Sequence, residues 1–165
     1  MSSETVPEIE VLIATSLWLH SEGWRIESVS IARGPGIDTY EDKQKLRAKL
    51  SEAQVPIDHV QFNSSGADIT AQKDSITWRI ECKGLGGGTP QTLRNNFDRT
   101  LASTVSYFDR RNGLIVGLAM PRDYNYISLI RSKIPQALRE AINLWILLYN
   151  ADEKTIDAYA PNNGV

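Results

Sequence analysis

From Pro7 to Glu22, the positions Ile9, Leu12, Ile13, Leu17 and His20 follow the i, i+3, i+4 spacing of a helix that buries one stripe, with Pro7 near its first turn and Gly23 as its stop. Trp24 to Arg33 changes to alternation, with Trp24, Ile26, Val29 and Ile31 apolar, and predicts a strand broken by Gly34-Pro35-Gly36. Tyr40 to Ala53 is a charged helical segment with only Leu46, Leu50 and Ala53 for a core face, which predicts a peripheral helix inserted over about residues 34–56. Val55 to Phe62 predicts a short strand. Ala67 to Gln72 and Ser75 to Lys83 are strand-like runs that read as a hairpin around a Lys73-Asp74 turn.

After a glycine-rich loop at Gly84 to Pro90, Gln91 to Asp109 predicts a long helix with Leu93, Phe97, Leu101, Val105 and Phe108 on one face. Leu114 to Ala119 and Leu144 to Tyr149 are continuous apolar runs of buried-strand length, with helices expected at Tyr124 to Ser132 and Pro135 to Ala141 between them. Thr155 to Tyr159 is expected to pair with the second run, and the last five residues to fray. Buried strands separated by helices predict an α/β protein: a three-layer sandwich around a central mixed sheet, folded as one domain over residues 1–165.

Composition narrows the chemistry. A chain of 165 residues, 41% hydrophobic and 23% charged, can bury a core without disulfides or metals. The single Cys82 excludes an internal disulfide framework and a Cys-based zinc module, and His20 and His59 leave little for His-rich sites. His20 is expected in the core. No apolar run approaches the roughly 18 residues of a membrane helix, and Met1 to Pro7 lacks the pattern of a secretory signal, so a cytoplasmic protein without a membrane partner is expected. A formal net charge of -2 argues against a protein that coats nucleic acid in bulk.

The candidate chemistry sits on the second hairpin strand. Alternation puts Trp78, Ile80 and Cys82 on one face and Thr77, Arg79, Glu81 and Lys83 on the other. With a turn at Lys73-Asp74, Asp68 lies opposite Arg79 and diagonal to Glu81, with Cα atoms about 7–8 Å apart, so both carboxylates can reach one cation. A one-residue slip would send Asp68 to the other face. The competing reading of Asp68, Glu81 and Lys83 is a surface ion-pair patch.

Asp68, followed after twelve residues by Glu81-Cys82-Lys83, resembles the signature of the PD-(D/E)XK nuclease superfamily. The order of elements around it is similar to that family's αβββαβ core, here extended by C-terminal helices and a strand; Ala67 stands where many members have proline. The resemblance implies a Mg²⁺-dependent hydrolase of phosphodiester bonds, with DNA as the partner and Mn²⁺ as an alternative ion. It implies that Asp68, Glu81 and the main-chain carbonyl of Cys82 hold the metal, and that Lys83 positions water or stabilises transition-state charge. It also implies a first-helix glutamate, for which Glu10 is preferred over Glu8, and nucleic-acid contacts from Gln91, Arg94 and Arg99. A catalytically inactive domain of the same fold, binding nucleic acid or a protein partner, is the alternative. The apolar C-terminal region offers a surface for a homodimer.

The glycine loop lacks the Gly-Lys-Ser/Thr ending of a phosphate-binding P-loop, which leaves nucleotide binding there the weaker reading. Charge along the chain is uneven. Residues 84–139 carry eight basic and three acidic side chains, whereas residues 1–60 carry six and ten. The basic excess therefore begins just after the candidate strand and predicts one-sided, salt-sensitive binding.

Overall fold

A computed structural model describes residues 4–31, 39–63 and 65–165, so the Gly34-Pro35-Gly36 break lies outside the described residues. The chain begins with α1 (Glu8–Ser21), β1 (Arg25–Ser30), α2 (Thr39–Glu52) and β2 (Gln61–Asn63). The hairpin β3 (Ile69–Lys73) and β4 (Ile76–Cys82) comes next, then α3 (Pro90–Ser106) and β5 (Leu114–Pro121). Two helices, α4 (Tyr124–Lys133) and α5 (Gln136–Ile142), lead to β6 (Leu144–Asn150) and β7 (Thr155–Tyr159). These strands join one mixed sheet in the order β2-β1-β3-β4-β5-β6-β7.

The faces of β4 define the layers. Trp78 points to the α1 side, where Trp18, Trp24 and Trp145 meet its ring edge-on at 5.9, 6.0 and 5.5 Å between centroids. Gly117 of β5 leaves room for this packing, since a Cβ there would sit 2.9 Å from Ile80 and 3.2 Å from the Trp78 ring. Arg79 and Glu81 point the other way, toward Tyr107 just beyond α3. The α/β sandwich is thus present, with a mixed sheet flanked by helices and the chain order α1-β1-β3-β4-α3-β5 at its centre.

The helical segment α2 leads from β1 to the parallel edge strand β2, and the Leu46 and Leu50 expected on its core face are fully buried. Several expectations change. The strand expected from Val55 is reduced to β2, preceded by a 3₁₀ turn at Ile57–His59. The hairpin turn lies one residue later, at Asp74-Ser75, where Asp74 takes a left-handed φ of 54° that aspartate tolerates better than lysine.

Helix α3 stops at Ser106 with Tyr107 as its cap, which frees Asp109 from the helix. On its inner face Phe97, Thr100 and Thr104 are buried, while Leu93, Leu101, Val105 and Phe108 are only partly covered. His20 is half-exposed, because α1 buries Val11, Thr15 and Leu19 instead. Residues 161–165 do not fray: Arg139, 3% exposed, donates to the carbonyls of Tyr159, Ala160 and Asn163, and Arg131 Nε donates to Val165 O at 2.6 Å.

Candidate active site

The register of the hairpin creates the site. Ile69 pairs with Ile80 and Thr70 with Arg79, a shift of two residues from the expected pairing. An even shift keeps every side chain on its face, so Asp68 remains on the Glu81 side and moves from the diagonal position to the one opposite Glu81. Asp68 lies just ahead of β3, where Ser30 N–H of β1 donates to its carbonyl at 2.8 Å. Its Oδ2 accepts from the Cys82 N–H at 2.8 Å, so the carboxylate closes the end of the β3–β4 ladder.

Around Asp68 stand Glu81, Lys83 and Glu8. Lys83 Nζ lies 3.5 Å from Glu8 Oε2, and the Lys83 N–H donates to Ala119 O at 2.9 Å, fixing the chain where β4 ends beside β5. Glu8 reaches this point because α1 starts against Gly84. A Cβ on Gly84 would lie 2.5 Å from Glu8 N and 2.5 Å from Val6 O, and the Val6–Leu85 bridge seals the approach with two 2.8 Å hydrogen bonds. Tyr126 Oη donates to Gly84 O at 2.7 Å from the other side.

Burial and like charge hold the carboxyls in tension. Desolvation, then the neighbouring Glu81, pushes the Asp68 carboxyl up to about 8, against the lowering effect of the Cys82 N–H. Glu81 is raised too, mainly by desolvation, while the Tyr107 hydroxyl that donates to its Oε2 and the nearby Lys83 favour its charged form. The Cys82 thiol is buried and pushed far up, first by desolvation and then by the surrounding carboxylates, as an inert packing group would be.

The expected site residues separate into two groups. Asp68, Glu81, Cys82 and Lys83 come together. Glu10 does not join them; it lies on the far side of Glu8, against Tyr149, and Glu8 faces the cluster in its place. Gln91, Arg94 and Arg99 are exposed on α3. Gln91 donates to Asn95 at 2.9 Å and Arg94 to Gln91 at 3.5 Å, and among the described residues neither is bonded to the carboxylates. Arg99 shares the i, i+4, i+8 stripe that ends at Tyr107 and makes no hydrogen bond or ion pair among the described residues.

Tyr107 is the residue that sequence reasoning missed. Its place on Glu81 depends on the C-terminal end of α3 passing over β4, which no local pattern announces.

The donor set suits a hard cation bound by few protein oxygens. Asp68 and Glu81 each have one oxygen occupied by an N–H or O–H donor and a second oxygen left over, and their shared charge lacks a full counterion. Among the described residues no group of three or more His, Cys, Asp or Glu side chains is gathered to enclose a metal. An ion here would rest on two carboxylates, main-chain oxygen and water, which is the manner of Mg²⁺ rather than of Zn²⁺. Among the described residues, no helix is long and apolar enough to cross a membrane. Comparisons of the chain with models of known families, with curated proteins and with solved structures find no match.

Proposed function

We propose that the protein is a Mg²⁺-dependent nuclease of the PD-(D/E)XK type that hydrolyses phosphodiester bonds in DNA, in a cytoplasmic setting. The observation that carries this reading is the pairing of Asp68 with Glu81 at the end of β4, with Lys83 one pleat further on and Glu8 beside it. Two raised, facing carboxyls are costly to keep in a folded protein, and a divalent cation offsets that cost.

Asp68, Glu81 and the Cys82 carbonyl would hold the ion. When bound, Mg²⁺ polarises a phosphodiester and lowers the pKa of a coordinated water. Lys83 supplies a positive charge to a phosphoryl oxygen in the transition state, and Glu8 keeps its ammonium pointed at the site. Tyr107 orients the Glu81 carboxylate.

The test is a cleavage panel over duplex, nicked, branched and single-stranded DNA with Mg²⁺, Mn²⁺ or EDTA. Cleavage that requires the metal and disappears in folded Asp68→Asn and Lys83→Ala supports the reading. No cleavage of any form by the unmodified chain overturns it and leaves the catalytically inactive, binding-only domain. The small donor set, with no three His, Cys, Asp or Glu side chains gathered for a metal among the described residues, is the feature that favours that second reading.

A further inference from the structure

We infer that the cluster Arg79, Arg110 and Arg111 is the anchoring site for a nucleic-acid phosphate next to the carboxylate site; the inference rests on the nucleic-acid reading above and fixes which surface the strand follows. Arg79 is two residues before Glu81 on the same face of β4, so the two side chains stand about 7 Å apart along the strand. Its Nη1 donates to Tyr107 O at 2.8 Å and to Asp109 Oδ2 at 3.1 Å. Arg111 Nη2 meets the same Asp109 oxygen at 2.8 Å.

One carboxylate oxygen therefore gathers two guanidinium groups. Arg110, between Asp109 and Arg111 in the chain, is exposed with a left-handed φ of 61° and makes no hydrogen bond or ion pair among the described residues, so its guanidinium is uncommitted. Two guanidinium groups share this one carboxylate, and Asp109 is itself exposed to solvent, so it compensates them incompletely. Guanidinium forks suit phosphate oxygens, and exposed positive charge in excess is what a polyanion neutralises.

Residue 107 joins the two places. Its hydroxyl donates to Glu81 and its carbonyl accepts from Arg79, so the anion anchor and the carboxylate pair share one rigid connector. This surface differs from the one expected at Gln91 and Arg94. Those side chains sit at the N-terminal end of α3, whereas Tyr107 caps its C-terminal end.

The experiment measures binding of a short fluorescein-labelled DNA, as duplex and as single strand, across a salt series in EDTA. The chain carries Asp68→Asn so that no strand is cut. Adding the double substitution R110A/R111A should weaken binding by roughly three- to tenfold for each arginine. The salt dependence should flatten by about one unit for each phosphate that an arginine no longer neutralises. Lys49→Ala, which removes one charge from α2 on the opposite layer, serves as the control and should leave both unchanged.

Unchanged affinity and slope in R110A/R111A, with the parent binding DNA, overturns this inference and spares the nuclease reading. Weakened binding in R110A/R111A alongside a wild-type chain that cuts nothing supports the anchor and overturns the hydrolase. A parent that binds neither duplex nor single strand at any salt overturns both.

Discussion

The two faces of β4 are built from alternate residues of one strand, yet they obey opposite rules. Trp78, Ile80 and Cys82 are buried, apolar and enclosed by three further tryptophans and α1. Thr77, Arg79 and Glu81 are half-buried, with Lys83 beyond them, and their polar atoms answer to groups from β3, α1 and the end of α3. One face gains stability by excluding water. The other gives stability up by crowding carboxylates. The contrast teaches that the strand is held in place by its inner face so that its outer face can remain electrostatically strained.

Breaking the inner face should have the largest effect. Trp78→Ala removes the ring on which three edge-to-face contacts converge and leaves a cavity beside Gly117. A loss of about 3–5 kcal/mol is expected in urea or thermal unfolding. DNA cleavage should fall only in proportion to the unfolded fraction.

Changing the outer face should do the reverse. In Asp68→Asn the amide oxygen still accepts from the Cys82 N–H, but the buried charge is gone, so cleavage disappears while stability at pH 8 holds or rises. The sign follows from linkage. The Asp68 carboxyl has an ordinary value of 3.8 and a folded value of about 8, so between them the folded chain keeps a proton that the unfolded chain has lost. Stability of the metal-free protein is therefore greatest below about pH 4 as far as this group is concerned, and is lost as pH rises toward 8. Glu81, raised as well, adds in the same direction. Melting temperatures across that window should decline for the unmodified chain and lie flatter for Asp68→Asn. Mg²⁺ should recover more stability at pH 8 than at pH 6.

Parity explains why so much of this is legible in the sequence. The period of two separates Trp78, Ile80 and Cys82 from Arg79 and Glu81 whatever the turn does, and the displacement of the turn to Asp74-Ser75 moves the register by an even number of residues. What the sequence cannot show depends on long-range packing. Tyr107 meets Glu81 only because α3 ends over β4. The α2 segment shows Leu46 and Leu50 as its core face, but not that it leads to the parallel edge strand β2. Arg139 binds the end of β7 and the chain beyond it through three carbonyls, a buried role that a lone arginine in a short helix does not announce.

Tyr107→Phe is a smaller perturbation, confined to the connector between the outer groups. It deletes the hydroxyl that favours the charged form of Glu81 and leaves the ring in place. Glu81 should then titrate at still higher pH. The Mg²⁺ concentration needed for half-maximal cleavage should rise by roughly tenfold, with the acid limb of the pH profile moving up. A change in maximal rate with no change in metal requirement would show that Tyr107 acts elsewhere.

The smallest effect belongs to the first helix, where the sequence leaves Glu8 and Glu10 in competition. Only Glu8 is carried to Lys83, because Gly84 lets the start of α1 press against the end of β4. The Lys83–Glu8 pair is partly exposed, so Glu8→Gln should cost under about 1 kcal/mol of stability. It should still lower the cleavage rate several-fold by releasing the ammonium, whereas Glu10→Gln should leave the rate unchanged. Gly84→Ala tests the same placement through the backbone, since its Cβ would meet Glu8 N and Val6 O and force α1 outward. It should reproduce the rate loss of Glu8→Gln and add about 1–3 kcal/mol of destabilisation. Equal rates in Glu8→Gln and Glu10→Gln would detach the first helix from the chemistry and leave the outer face of β4, with Asp68, to carry it alone.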